Sequence, residues 1–378
     1  MKTQIIICSE YLAYTQHLRE VARQLSQTCR IIICTNLSNA KQYDSYFIHQ
    51  SNIEFLHIPF SRSLDFLSFV TSCQALFNVL LKYKPYSVVS FTPPCQPVAS
   101  IAIILYKVVT RSRLSYVHYF TGLIWPYLSI LNPLRCILLF IDLFTLLSSS
   151  YVIFDGHHQK DLYLKYLPCF KDKLRIVRFG SLKGVDLALF KPPASSCLRT
   201  ACKIPTDSFN FLYIGRINKA KGIPQLIESF HKLYKFHPNV WLTIVGTIED
   251  PIFDYLKDNN HPSITYLPYT ESPHLTYHLA DILVLPSFRE GFGSVIIEAA
   301  ACSIPAIGSF IPALNESIIH LHTGILFSHE FPSSLYQSML FAKSNPGLVR
   351  QLGDNALRHV VSKYSQADVL KSLANELQ

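Results

Sequence analysis

Short apolar runs bounded by turn-forming residues recur through the first half of the chain. They are QIIICS from Gln4, RIIICTN from Arg30, EFLHIPF from Glu54, SVVSFT from Ser87, LSYVHYF from Leu114, YVIFDG from Tyr151 and LRIVRFG from Leu174. Longer stretches of helical character separate them. Strands that are apolar throughout and alternate with helices predict a parallel sheet covered on both faces. The pattern breaks at KPPASSCLRTACKIP (191–205) and restarts with FNFLYIG, VWLTIVG, SITYLPY, DILVLPS and IPAIGS. A chain of 378 residues suits two domains of similar size better than one core. The expected fold class is therefore α/β, with two Rossmann-like domains facing each other across a cleft. Residues 1–188 form the first, 189–364 the second, and 365–378 a C-terminal helix that crosses back.

The most apolar segment is Tyr127 to Leu147, YLSILNPLRCILLFIDLFTLL. As a membrane span it would place Arg135 and Asp142 near mid-bilayer, at about 2.5–3.5 kcal/mol each. Asn132-Pro133 instead reads as a helix start, with Asn as the cap and Pro at the first helical position. Arg135, Asp142 and Ser149 then fall on one stripe of an otherwise apolar helix. Two readings stay open: a helix buried within a domain, or a monotopic helix dipping into a membrane.

Charge changes the picture of the two halves. Residues 1–185 hold 19 Lys and Arg against 9 Asp and Glu, whereas residues 186–378 hold 15 against 16. The basic excess belongs to the first half and points it toward an anionic partner. With only 16% charged residues overall, an anionic membrane surface suits it better than nucleic acid. The basic half also lacks a basic-aromatic repeat or a reader motif, so no nucleic-acid partner is expected. Arg111 and Arg113, following the apolar run VASIAIILYKVV, are candidate membrane and acceptor contacts.

The start MKTQIIICSEY has no signal-peptide layout, and ten cysteines without a Cys-x-x-Cys pair give no disulfide or zinc framework. A cytoplasmic, reduced protein is expected. No metal site is expected either: the histidines include no H-E-x-x-H, and His274 and His278 have no third ligand in a recognisable motif.

Candidate chemistry sits in the second half. A nicotinamide dehydrogenase would need G-x-G-x-x-G after its first strand, but CSEYLAYTQHL contains no glycine and FLYIGRINKAKG offers only Gly215 and Gly222. Ligands of doubly wound sheets lie beyond the carboxyl ends of the strands. FREGFGSVIIEAAA (288–301) follows such a strand, placing Arg289 and Glu290 at its edge. Gly291, Phe292 and Gly293 let backbone N–H groups approach a ligand, and a helix from Ser294 aims its positive end at the same point. Glu298 falls about 6 Å along that helix. Two carboxylates could thus bracket a diphosphate-sugar, with Arg216 and Lys221 supplying cations for its phosphates and Lys219 in reserve.

These residues carry a family resemblance. The E-x(7)-E spacing of Glu290 and Glu298, with GRINKAKG and GVDLALFKP, is similar to family 4 of the retaining glycosyltransferases, which have the GT-B fold. YFTGLIW, DGHHQKDLY, FGSLKGVDLALFKP and REGFGSVIIEAAACSIPAIGS resemble bacterial enzymes that extend lipid-linked oligosaccharides for capsule, O-antigen or glycoprotein assembly. The resemblance implies that Arg216 and Lys221 bind the donor diphosphate, Glu290 the transferred sugar and Glu298 the ribose. It implies that amides around Phe292 and Gly293 touch the sugar and its phosphate. His118, at a strand end, corresponds to a histidine near the donor sugar, and Thr121 and Gly122 lie on the acceptor side. Two departures from the family stand there: Leu123 replaces a frequent glutamine, and SEYLAYTQ replaces a glycine-rich turn.

The expected activity is retaining transfer of a hexose or N-acetylhexosamine from a UDP-sugar to a polyprenyl-diphosphate-linked saccharide. It would run without cofactor or metal, at the inner face of the cytoplasmic membrane. An enzyme with a soluble acceptor and a non-catalytic sugar-nucleotide-binding protein are the alternatives.

Overall fold

The computed structural model describes residues 2–38, 52–61, 65–123, 125, 128–129, 131–192, 197–258, 260–270 and 272–378. The chain divides into two compact units, Met1–Lys183 with Asp368–Gln378, and Gly184–Ala367. The units part a few residues before the expected boundary at 188.

Unit 1 is built on β1 (Thr3–Glu10), β2 (Arg30–Asn36), β3 (Ile53–His57), β4 (Ser87–Phe91), β5 (Ser115–Phe120), β6 (Tyr151–Phe154) and β7 (Leu174–Ile176). They form one parallel sheet in the order β3-β2-β1-β4-β5-β6-β7. Its helices are α1 (Tyr11–Ala13), continued through a π-helical turn into α2 (Arg19–Ser26), then α3 (Phe66–Tyr83), α4 (Gln96–Thr110), α5 (Pro133–Ser148) and α6 (His157–Tyr166). Separate apolar clusters cover the two sheet faces, as strands buried on both sides require.

Unit 2 begins with α7 (Cys197–Ala201) and is built on β8 (Phe209–Ile214), β9 (Val240–Val245), β10 (Ile264–Leu267), β11 (Ile282–Leu285), β12 (Ala306–Ser309) and β13 (Gly324–Phe327). This sheet is also parallel, in the order β10-β9-β8-β11-β12-β13. Around it lie α8 (Ile223–Phe236), α9 (Pro273–Tyr277), α10 (Ser294–Ala301), α11 (Pro312–Ser317), α12 (Ser334–Ser344) and α13 (Pro346–Lys363). Each of the twelve apolar runs named above contains a strand. The sequence reading missed β13, whose four residues at a sheet edge carry too short an apolar run to stand out.

The last helix, α14 (Gln366–Leu377), buries Leu370, Leu373, Ala374 and Leu377 among Ile6, Leu25 and Tyr119. Gln4 Nε2 donates to its Leu377 carbonyl at 3.0 Å, and Arg175 pairs with Glu376. Its apolar face therefore belongs to unit 1.

The segment around α5 follows neither simple reading. Asn132 caps it by accepting from Leu134 N at 3.0 Å, and Pro133 opens it, as the sequence predicts. Asp142 and Ser149 are buried, whereas Ile137, Phe140 and Leu147 are exposed. The helix is thus inverted, with part of its polar stripe inward and apolar side chains outward. Tyr127 and Ile130 of the predicted segment lie outside the described residues.

Candidate functional site

In unit 2 the strand order runs outward from β8 in one direction and from β11 in the other, so the gap between their carboxyl ends is a topological switch point. The loops after these strands are tied together there: Phe288 N donates to the Ala220 carbonyl at 3.1 Å. Gly222 makes the approach possible. Its φ is +72°, and a Cβ at this position would lie 2.0 Å from the Pro286 carbonyl oxygen, so a side chain is excluded on both conformational and steric grounds.

This junction orients Lys221. Asn218 caps the short turn Lys219–Lys221 by accepting from Lys221 N at 3.0 Å. Lys221 Nζ then reaches across to Glu290 Oε1 at 2.6 Å, with the two side chains only 16% and 12% exposed. Removed from most of the solvent, such a pair interacts more strongly than one at the surface, and each partner fixes the position of the other. Two residues singled out in the sequence, 69 positions apart, therefore form one unit.

Beyond Glu290 the chain turns through Gly293 (φ +80°) into α10. Gly293 caps without a side-chain hydrogen bond among the described residues; Ile296 N turns back to the Gly293 carbonyl at 2.8 Å, which leaves the N–H groups of Ser294 and Val295 at the helix start to meet an anion. Phe292 is buried and meets Tyr364 edge-on at 5.4 Å. Its ring anchors the loop, which leaves only its backbone to face a ligand. Glu298 stands in the middle of α10 and accepts from Tyr277 Oη at 2.8 Å. Burial, then the Glu298 charge, pushes the Tyr277 hydroxyl well above its ordinary pKa, so it stays a donor. Ala299, Ala300 and Ala301 are buried against the sheet, where small side chains let the helix lie close.

Arg216 is held separately. Its side chain is 65% exposed and pairs with Glu249 at 3.2 Å, while Asn218 Nδ2 donates to the same carboxylate at 2.7 Å. Tyr213 Oη supports the loop from below by donating to the Arg216 carbonyl at 2.7 Å. Lys219 is exposed and lies 4.0 Å from Asp250. Sequence reasoning missed Glu249, Asn218, Tyr213 and Tyr277. Glu249 was within reach of the strand-end rule, since TIED follows β9, a neighbour of β8; the others act through tertiary contact and carry no local signal. Ser287, at the end of β11, is fully buried and its hydroxyl has no partner among the described residues.

Unit 1 places its candidates differently. His118 lies inside β5 rather than at its end, is 1% exposed, shares a 2.6 Å hydrogen bond with Ser90 Oγ, and meets Phe120 edge-on. Burial pushes its pKa down from 6.5 to about 3, so the ring is neutral across the physiological range. Thr121 and Gly122 follow β5 at the carboxyl edge of the sheet. Arg111 and Arg113 precede β5 and stand at the opposite edge, one length of α4 away, about 20 Å. That position separates them from groups at the carboxyl edge. Among the described residues, no three His, Cys, Asp or Glu side chains come close enough together to hold a metal ion.

This arrangement defines a class: a doubly wound domain that presents a cation–carboxylate pair and an open helix N-terminus at its switch point. Residues 198–359 match the family described as glycosyl transferases group 1, so unit 2 is a group 1 glycosyltransferase domain and the protein a glycosyltransferase. Over nearly its whole length the chain is similar to the capsular polysaccharide biosynthesis glycosyltransferase CapM of Staphylococcus aureus, with 24% identity across 90% of this chain and 87% of the relative. Its fold is GT-B. The sucrose-phosphate synthase of Thermosynechococcus elongatus superposes with a TM-score of 0.81 at 19% identity, covering 100% of this chain and 98% of that one. Anabaena HepE, solved in complex with UDP and glucose, superposes at 0.78 with 15% identity, covering 100% and 99%.

Proposed function

We propose that the protein transfers a hexose or N-acetylhexosamine, with retention, from a UDP-sugar to a polyprenyl-diphosphate-linked saccharide in surface polysaccharide assembly. The observation that carries the donor half is the Lys221–Glu290 pair beside the open N-terminus of α10. When the sugar–phosphate bond breaks, negative charge grows on the nucleoside diphosphate and positive charge on the sugar ring. Lys221, Arg216 and the α10 N–H groups stabilise the first without a metal, and Glu290 binds the sugar through its hydroxyls. Glu298 takes the ribose. The anomeric C–O bond to phosphate breaks while a C–O bond to the acceptor forms on the same face, and the leaving phosphate takes the acceptor's hydroxyl proton. The HepE complex with UDP and glucose supports a nucleotide-sugar donor, and the CapM name supports a polysaccharide product.

The outward apolar side chains of α5 and the basic excess of the first half support an acceptor met at an anionic membrane surface, with the protein peripheral on the inner leaflet. His118, neutral and hydrogen-bonded to Ser90, would serve as a rigid wall beneath the Thr121-Gly122 turn rather than as a proton donor.

Donor protection tests this reading. Melting temperature is measured with UDP-, GDP-, ADP- and dTDP-sugars, with and without chelator. A rise with UDP-sugars that chelator leaves unchanged is the expected result. A rise confined to another nucleotide, or one lost on chelation, would overturn the donor assignment.

A further inference from the structure

A cavity of about 370 Å³ lies wholly within unit 1, lined by residues of α3, α4, α5 and the turn after β5. Among its lining residues is the one carboxylate of α5, buried and already satisfied. Asp142 accepts from Gln96 Nε2 at 2.7 Å, from Trp125 Nε1 at 2.8 Å and from the Tyr163 hydroxyl. A saccharide would need open donors and acceptors here, and Asp142 has little capacity left to offer; of the other polar lining residues, Asp65 accepts from Ser68 N and Oγ as the cap of α3, and Ser72 Oγ donates to the Pro59 carbonyl. Much of the lining is apolar, including Phe69, Pro97, Phe120 and Ile141. Such a site suits a hydrocarbon.

Its surroundings indicate where the hydrocarbon comes from. Phe66, at the start of α3, lines the cavity and is itself 78% exposed; Leu67 beside it and Phe140 on α5 are also exposed. Among the described residues, α3 is the helix long and apolar enough to cross a membrane, yet it lies along α4 with most of its length unburied. An apolar surface continuous with the cavity is thus carried on helices whose other ends bear Lys82, Lys84, Arg111 and Arg113, complementary to an anionic leaflet. Gly122, at the carboxyl edge of the sheet, also lines the cavity.

We infer that this cavity receives the isoprenoid chain of the acceptor, drawing the segment next to the diphosphate out of the bilayer and setting the saccharide at the carboxyl edge of unit 1. The inference rests on the lipid-linked acceptor proposed above and adds the site that recognises its lipid. It also accounts for the inversion of α5, since the helix borders the cavity with Asp142 and meets the membrane with Phe140.

Trp125, in the cavity wall, provides the readout. The chain has two tryptophans, so Trp241→Phe leaves Trp125 as the sole emitter. Titration with farnesyl diphosphate is expected to change its emission saturably, whereas inorganic diphosphate leaves it unchanged and dodecyl phosphate acts only weakly. Ile141→Phe, which fills the cavity, should weaken farnesyl diphosphate about tenfold while preserving the UDP-induced rise in melting temperature. Leu138→Phe serves where Ile141→Phe does not fold. No change in emission, or equal affinity in wild type and filled variant, would overturn the inference. An equal response to inorganic diphosphate would show that the headgroup alone is recognised. An equal response to dodecyl phosphate would assign the cavity to a straight acyl chain. Chain binding without transfer to any lipid-linked saccharide would instead overturn the acceptor reading and leave the cavity assignment standing.

Discussion

In unit 2 charged side chains gather at the carboxyl ends of β8, β9 and β11 and pair with one another there, whereas unit 1 turns much of its polar chemistry inward and apolar side chains outward. Lys221 with Glu290, and Arg216 with Glu249, stand ready at a strand edge. In unit 1 His118 is sealed against Ser90, and Asp142 is held by three donors in the core. Over the same part of the fold Phe66, Phe140 and Leu147 face outward. The same strand–helix topology thus supports two surfaces. One offers fixed charges to a polar, anionic ligand; the other keeps its charges satisfied and offers hydrocarbon.

Four measurements would break or sharpen that contrast, starting with the largest effect. Glu290→Gln keeps the shape and a hydrogen bond to Lys221 but removes the charge. Turnover is expected to fall about 10²–10³-fold with melting temperature almost unchanged. Retained turnover in steady-state kinetics would remove Glu290 from the donor site and, with it, the polar half of the comparison.

Asp142→Leu tests the inward half. It strands the Gln96, Trp125 and Tyr163 donors, a loss partly offset by removing a buried carboxylate, for a net cost of about 1–3 kcal/mol. Denaturant unfolding followed by Trp125 emission in the Trp241→Phe background should show unit 1 destabilised, while the UDP-dependent stabilisation of unit 2 persists. Equal stability would mean that the buried network contributes nothing.

His118 gives unit 1 a pH signature. Its folded pKa, about 3, is depressed below the ordinary 6.5, so the unfolded chain binds the proton more readily. The associated stability is fully present above 6.5 and is lost as pH falls toward the folded value. By about pH 5 the loss should reach on the order of 2 kcal/mol. His118→Gln should therefore flatten the acid limb of stability against pH without abolishing it. An unchanged limb would show that His118 is solvated in solution.

The smallest effect concerns the outward face. Phe140→Ser should weaken binding to phosphatidylglycerol vesicles about tenfold, in line with about 1.5–3 kcal/mol for burying a phenylalanine. Arg113→Gln should cost about 1 kcal/mol, and only at low salt. Sedimentation with vesicles measures both, and unchanged partition of Phe140→Ser would take α5 off the membrane.

What the sequence determined by itself was the periodic part of the protein and the chemistry carried by contiguous motifs. Twelve strands were legible because parallel strands buried on both faces must be apolar throughout. Glu290 to Glu298 was legible because a glycine turn and the helix after it lie within a few residues of each other. The cap at Asn132-Pro133 was readable for the same local reason. Only the tertiary structure could join Lys221 to Glu290, place Glu249 behind Arg216, and bury His118 in mid-strand, because those outcomes depend on which loops the sheet order brings side by side. It alone decided the direction of α5 as well. A helix apolar on nearly every side carries too weak a periodicity to say which face turns inward. The choice came from Gln96, Trp125 and Tyr163, three donors spread from position 96 to 163 that converge on Asp142 only once the sheet has formed.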